Sequence, residues 1–233
     1  MNIPIVYEDE NLLVINKPAG LVAHPKLIND TQESVTSWFS KKYPKSINVG
    51  DDPLRPGLVH RLDKYTSGLL ILAKTQKDFE FIKNLFKKRD INKKYFTLVY
   101  GVPKDKEGII DLPLGKIGIK QTTRITGKKD LEEKEALTAW KIKKAWNDFS
   151  LLEVSPKTGR THQIRIHLNS IGHPIVGDLI YGNKKNKNSE LKLNRLFLHA
   201  YSLEFQSPSG RMLRVDADLP EELSDFIAKI PNS

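Results

Sequence analysis

The sequence predicts an α+β fold in which a mixed, mainly antiparallel central sheet is flanked by helices and loops. Residues 69–73 are consecutive apolar residues, and the length of this run fits a strand that is buried on both faces. Residues 136–142 and 149–154 read as two strands joined by a short Asn-Asp turn. Because that connection is too short for a helical crossover, these two strands must be antiparallel.

The remaining strands follow the chain from its first residues to its last hairpin. Residues 3–7 and 12–16 form a hairpin around a charged turn. Residues 94–100 alternate, which places Tyr95 on one face of its strand. Strands are predicted at residues 3–7, 12–16, 69–73, 94–100, 136–142, 149–154, 196–205 and 211–215.

Four helices are predicted from apolar residues that recur every three or four positions. Asp30 and Glu33 fit an N-cap and its N3 partner, so they mark the start of the first helix. Thr75 and Asp78 make a similar start for the second helix. A short third helix is predicted at residues 161–171, and a fourth closes the chain.

The chain is basic and long enough for one substantial core. It has 233 residues, 39% of them hydrophobic, and 38 Lys and Arg against 28 Asp and Glu give a formal charge of +10. This charge favours a polyanionic partner, either nucleic acid or a membrane surface, although a solvated cationic face has the same composition. No apolar run approaches the roughly 18 residues of a membrane span, so we expect a cytoplasmic protein with no membrane partner.

Several kinds of site have no support in the sequence. The absence of Cys excludes disulfides, thiolate zinc sites and a thiol nucleophile. The chain also has no HExxH pattern, no Walker loop and no GxGxxG fingerprint, so metal, nucleotide and dinucleotide sites are not supported. We therefore expect a site that uses neither a metal nor a cofactor.

Asp63, within residues 58–74, is the candidate for a catalytic carboxylate. It stands between Arg61 and Lys64, and a Thr-Ser-Gly turn leads from it into the predicted buried strand. A nearby cation stabilises the ionised carboxylate, which is the form that a nucleophile needs. Read alone, the same residues also fit a salt bridge or a turn cap.

Two further segments are rich in basic residues. Residues 115–129 contain five Lys and Arg and no acid, and they are predicted to form a basic hairpin or loop that contacts phosphates or is simply solvated. In the second segment, Arg160 and Thr161 stand at the start of the predicted third helix, where backbone N–H groups can bind an anion. Arg165 follows about one turn later, off the apolar face.

Together these motifs resemble the RluA-type pseudouridine synthases. Residues 60–74 match the pattern HRLD-x-x-TSG-x-x-x-x-AK of that family. Three further blocks agree in the same order. They are residues 16–20 with His24-Pro25, Lys94-Tyr95 with Gly101, and residues 158–167 running on to 172–174 and Gly177-Asp178.

The resemblance implies the pseudouridine synthase catalytic fold and a reaction. Such enzymes cleave the glycosidic bond of a uridine in RNA, turn the bound uracil, and rejoin the ribose to C5 without a cofactor. Asp63 is then the catalytic carboxylate, which either attacks the anomeric carbon or removes a ribose proton to give a glycal. Tyr95 stacks on the flipped uracil and accepts the C5 proton, and Arg165 pairs with Asp63.

The resemblance also implies contacts to the RNA. Leu198 forms the apolar wall under the base, and Arg61 fills the gap that the flipped nucleotide leaves, since a planar guanidinium can restore part of the lost stacking. The expected substrate and RNA contacts are His60, Arg61, Arg160, Thr161, Leu198, Lys116, Lys120 and Arg124. The expected RNA is ribosomal first and transfer RNA second.

Two features depart from the family pattern. Ser207 stands before the proline of the last hairpin, where the family often has a His. We also expect no small RNA-binding domain before the first strand. We expect residues 1–233 to form a single catalytic domain, or two closely joined subdomains, that acts as a monomer.

Two other functions fit parts of the same sequence. A non-catalytic RNA-binding or ribosome-assembly module would have the same basic surface. A glycosidase-like hydrolase would also use a carboxylate, but it usually needs a second one across the bond, for which there is no partner motif.

Overall fold

The computed structural model describes residues 1–27, 30–117, 120–122, 133–182 and 191–231. The chain divides into two compact units. The first comprises Met1–Asn92 and Ala200–Asp218, and the second comprises Lys93–His199 and Leu219–Ser233. Within the described ranges, no helix is long and apolar enough to cross a membrane.

The described chain combines mainly antiparallel strands with four α-helices, which confirms the predicted α+β fold class. The strands are β1 Ile5–Glu8, β2 Leu12–Lys17, β3 Ser67–Ala73, β4 Asn92–Tyr100, β5 Glu107–Asp111, β6 Gly115–Ile117, β7 Lys120–Thr122, β8 Leu137–Ala145, β9 Phe149–Pro156, β10 Leu198–Gln206 and β11 Met212–Asp216. The helices are α1 Val35–Lys42, α2 Gln76–Lys88, α3 Gln163–Ser170 and α4 Glu221–Ala228, with a 3₁₀ turn at Pro44–Ser46.

The first unit is built around β3, every residue of which is buried, as the apolar run predicts. Its strands lie in the order β1-β2-β3-β10, and β11 pairs with β10. Strand β2 pairs antiparallel with β3, from Leu12 opposite Ala73 to Lys17 opposite Gly68. Helix α2 packs Phe79 and Ile82 into the same core. The start of β3 therefore lies in the buried core of this unit.

Gly68, the second residue of β3, is required by a close approach of two strands. Its φ is +117°, and a Cβ at this position would lie only 2.3 Å from the carbonyl oxygen of Ala200 in β10. Any side chain would therefore push β10 away from β3. This explains why the turn after Asp63 ends in glycine.

The second unit contains the strands β4-β9-β8-β5 in that order, and β10 begins here at Leu198 before it continues into the first unit. The pairs β4-β9, β9-β8 and β8-β5 are antiparallel, which confirms the prediction for residues 136–154. One face of these strands carries alternating charges, with Lys141 3.8 Å from Glu107 and Lys94 3.8 Å from Glu153. Since successive residues of a strand point to opposite faces, Tyr95 belongs to the other face.

The helix starts show one correct prediction and two errors. Helix α2 begins at Thr75, whose hydroxyl accepts from the N–H of Asp78, as predicted. The predicted cap of α1 at Asp30 is wrong, because Ser34 caps that helix through a reciprocal pair with Ser37. Asp30 instead accepts from the N–H groups of residues 26 and 32. Helix α3 starts at residue 163, two residues later than expected.

Candidate active site

Asp63 lies in the turn that enters β3, and its side chain is half-buried. The backbone carbonyl of Asp63 accepts from the N–H of Thr66 at 3.1 Å, which closes the turn. Thr66 and Ser67, which follow at the end of this turn, are buried. Asp63 therefore lies in a closed turn that leads into the buried start of β3.

Lys17 fixes this turn from the neighbouring strand. The side chain is fully buried, and its ammonium group donates to the carbonyls of Pro18 and Leu21, both at 2.9 Å, and of Lys64 at 3.2 Å. A buried ammonium is stable only when its donors are satisfied in this way. The residue after Asp63 is therefore held by Lys17, which the sequence analysis names only as part of the matching block at residues 16–20.

His60 makes contacts inside the first unit. Its Nε2 accepts from the N–H of Ile71 in β3 at 3.0 Å, and its ring stacks on Phe86 with centroids 4.5 Å apart. These contacts support the strand next to Asp63, which is a structural role. The predicted contact between His60 and RNA stays a prediction.

Arg61 is exposed, next to the buried Leu62 that precedes Asp63. Its Nη1 lies 3.4 Å from Nε2 of His24. Burial lowers the pKa of His24 below its usual value, and the positive charges of Arg55 and Arg61 act in the same direction. A half-buried His therefore lies beside the cation that is expected to enter the RNA.

Tyr95 lies on β4 in the second unit, opposite Val154 of β9, and only 9% of the residue is exposed. Two residues along the same face, the Thr97 hydroxyl donates to the carbonyl of Phe197 at 2.8 Å. Leu198 follows directly and is also buried. Tyr95 and Leu198 thus lie on elements that are joined by a hydrogen bond within one unit.

Arg165 on α3 is almost fully buried and holds Asp178 in a fork. Its Nε donates to Oδ2 at 2.8 Å and its Nη2 to Oδ1 at 2.9 Å. Burial alone would raise the pKa of Asp178, but the hydrogen bonds and charge of Arg165, with two backbone N–H groups, bring it below the usual value. The predicted pair of Arg165 was Asp63, and Asp178 had no assigned role.

The segment that carries Asp178 is fastened to β4. Pro174 accepts from the N–H of Tyr100 at 3.0 Å, and the N–H of Val176 donates to Leu98 at 2.9 Å. Below the guanidinium of Arg165 lies the ring of Tyr181, with 5.1 Å between them. Arg165 is thus oriented by a carboxylate and a ring that are tied to the strand of Tyr95.

The predicted anion site at the start of α3 is partly used by the fold. Arg160 donates its backbone N–H to the side chain of Gln163 at 2.9 Å, and its Nε to the carbonyl of Glu135 at 3.0 Å. Thr161 is exposed, and His162 has a left-handed φ of 57° directly before the helix. Gly159, Arg160 and Thr161 therefore lie before the helix, whereas the sequence predicted that the helix begins there.

The basic segment contains the hairpin of β6 and β7, with Lys116 opposite Gln121. Lys116 and Lys120 lie on these two strands. A pair of antiparallel strands therefore forms in the first part of the predicted basic segment. Arg124 lies outside the described residues. Among the residues that are described, no three His, Asp or Glu side chains come close enough together to hold a metal ion.

The chain belongs to the RNA pseudouridylate synthase family, whose model matches residues 11–170. Members of this family are isomerases that convert uridine in RNA to pseudouridine. The match confirms the resemblance of residues 60–74 and the predicted reaction, and it sets aside the hydrolase and the non-catalytic module.

Similar proteins span nearly the whole chain. A protein of Zymomonas mobilis named ribosomal large subunit pseudouridine synthase D is 38% identical, covering 94% of this chain and 70% of that protein. A protein of the same name from Borreliella burgdorferi is 35% identical, covering 100% of this chain and 70% of its own length. The solved structure of human RNA pseudouridylate synthase domain containing 4 has a TM-score of 0.74 at 26% identity, covering 97% of this chain and 92% of that one.

Proposed function

We propose that this pseudouridine synthase acts on large-subunit ribosomal RNA. The observation that carries this proposal is the similarity, over nearly the whole chain, to proteins named ribosomal large subunit pseudouridine synthase D. The formal charge of +10 supports a polyanionic substrate of this kind. Transfer RNA is the second candidate. The names of these relatives support ribosomal RNA instead.

In this proposal Asp63 is the catalytic carboxylate. The N1–C1′ bond of uridine breaks, the uracil turns, and a C5–C1′ bond forms, while C5 loses its proton and N1 gains one. Asp63 either bonds to C1′ in an ester intermediate or removes a ribose proton to give a glycal. Its position in a turn that Lys17 and the start of β3 hold rigidly supports either role, because a reacting group must keep its geometry.

Tyr95, Leu198 and Arg165 complete the proposed site. The nearly buried ring of Tyr95 offers a stacking surface, and Leu198 adds an apolar wall. The fork to Asp178 uses Nε and Nη2 of Arg165 and so sets the orientation of the guanidinium. The proposed pair of Arg165 and Asp63 rests on the family pattern.

Further contacts to the RNA are assigned to other polar and basic residues of the chain. Arg61 is exposed and stands two residues before Asp63, which suits it to replace the flipped base in the RNA stack. The remaining candidates for phosphate contacts are Arg160, Thr161, Lys116, Lys120 and Arg124.

The proposed substrate can be tested by mapping pseudouridine in ribosomal RNA from cells with and without the gene. We expect at least one large-subunit position to lose its pseudouridine in the deletion strain, and the purified protein to restore it in a transcript of that RNA. Complementation with an Asp63→Ala copy provides the control for expression of the protein. Loss of pseudouridine only from transfer RNA would contradict the ribosomal assignment and leave the enzyme class intact.

Replacement of Tyr95 by Phe should slow isomerisation while leaving RNA affinity nearly unchanged. Phenylalanine keeps the stacking surface but has no hydroxyl to take the C5 proton, and loss of a general base typically costs about a hundredfold. Release of tritium from uridine labelled at C5 measures this step. The control is Tyr100→Phe, since Tyr100 lies on the opposite face of the same strand. Equal turnover by Tyr95→Phe and the wild type would leave Tyr95 as a stacking platform only.

A further inference from the structure

The hydrogen bonds of His24 define which of its ring nitrogens carries the proton. Nδ1 lies 2.7 Å from the carbonyl oxygen of Pro25. A carbonyl oxygen can only accept, so Nδ1 must donate and carry the proton. In the neutral ring, Nε2 then has a free lone pair that faces away from Pro25.

That lone pair faces Arg61. Nη1 of Arg61 lies 3.4 Å from Nε2 of His24, and a guanidinium can only donate. The contact is therefore attractive only while His24 is neutral, because a protonated ring would present a second N–H to the cation. The distance is at the long end for a hydrogen bond, so the contact is weak and Arg61 can leave it when RNA binds.

We propose that His24 is a positioning residue that holds Arg61 beside Asp63, ready to enter the RNA stack as the uridine leaves it, and that protonation of His24 releases Arg61. The inference rests on the role proposed above for Arg61. It adds a residue 37 positions earlier in the sequence, in a loop of the same unit. It also makes the productive form of the site dependent on pH.

The surroundings of His24 keep it in the neutral form. Burial lowers its pKa most, the bond to the Pro25 carbonyl raises it, the charges of Arg55 and Arg61 lower it, and Asp52 raises it. Asp52 is itself paired with Arg55 at 3.2 Å, which offsets its effect. The net result is a pKa below the usual value for His, so Arg61 is held at neutral pH and released as the pH falls through that lowered pKa.

Two substitutions separate the two ends of the ring. His24→Gln places an amide oxygen near the position of Nε2, where it can accept from Arg61 at any pH. His24→Asn is shorter, so its amide reaches the Pro25 carbonyl but not Arg61. Both variants keep a polar group in the loop, and neither titrates.

The assay is tritium release from a large-subunit ribosomal RNA transcript labelled at C5 of uridine, from about pH 8 to about pH 5. For the wild type we expect KM to rise about fivefold at the acidic end relative to His24→Gln, which is the scale of the cost of ordering one long side chain on binding. His24→Asn should have the raised KM throughout the range. A constant ratio between wild type and His24→Gln, or equal KM values for the Asn and Gln variants, would overturn the proposal.

Arg61→Met distinguishes a failure of this inference from a failure of the proposed function. If Arg61→Met raises KM but the His24 variants behave alike, only the role of His24 is wrong. If Arg61→Met leaves KM unchanged while the wild type turns over, the assigned role of Arg61 is wrong and the inference falls with it. In addition, ¹⁵N NMR of the imidazole should show a proton on Nδ1 at neutral pH. A proton on Nε2 instead would overturn the proposal without any assay of turnover.

Discussion

Replacement of Asp63 by Asn is expected to abolish isomerisation while RNA binding survives. The amide has nearly the shape of the carboxylate, but it can neither attack C1′ nor remove a ribose proton. Loss of a nucleophile typically costs far more than about a thousandfold in turnover. Tritium release from a uridine-labelled transcript measures turnover, and filter binding of the same RNA measures affinity.

The structure favours a clean separation of chemistry from folding at this position. The turn is anchored through the backbone carbonyls of Asp63 and Lys64, which a side-chain change leaves in place. Asp51→Asn is the matched control, because it makes the same chemical change at an exposed carboxylate paired with Lys83 in the same unit. Turnover by Asp63→Asn close to that of Asp51→Asn would contradict the proposed role of Asp63.

The parts of the fold that the sequence predicts are those governed by local pattern. The buried strand β3 follows from an apolar run, and the β8-β9 hairpin follows from alternation with a short turn. The start of α1 is different, because Asp30, Thr31 and Ser34 before it are all residue types that can cap a helix. Ser34 is selected by contacts from elsewhere in the unit, since the N–H of Val35 donates to Val22 and the hydroxyl of Thr36 donates to Leu54.

From the sequence, residues could be proposed for the candidate site only where they belong to a motif of the family. Asp63, Tyr95 and Arg165 all stand in such motifs, but the long-range contacts of the residues next to Asp63 do not follow from spacing. The bond from Lys17 to Lys64 spans 47 positions, and the bond from Arg61 to His24 spans 37. A pairing of this kind depends on how strands and loops are brought together, which local patterns in one sequence do not reveal.

The pair of Arg165 and Asp178 should be the most sensitive point for the stability of the second unit. Asp178→Asn leaves the guanidinium buried with a neutral partner, and breaking a buried pair on one side typically costs about 3–5 kcal/mol. Urea unfolding followed by fluorescence measures the loss, since Trp140 and Trp146 are both buried in this unit. The control is Glu222→Gln, which breaks a contact to Arg195 at 3.8 Å from a carboxylate that is 55% exposed. Its effect should stay below about 1 kcal/mol.

Two further measurements separate a charge effect from simple loss of packing. The double variant Arg165→Met/Asp178→Asn removes both charges, so it should be more stable than Asp178→Asn alone. The lowered pKa of Asp178 means that its stabilisation is complete above the unfolded value of about 4 and is lost as the pH falls through the folded pKa. The wild type should therefore lose more stability in acid than Asp178→Asn does. Parallel acid curves for these two proteins, with a double variant no more stable than the single one, would show that the fork contributes through shape alone.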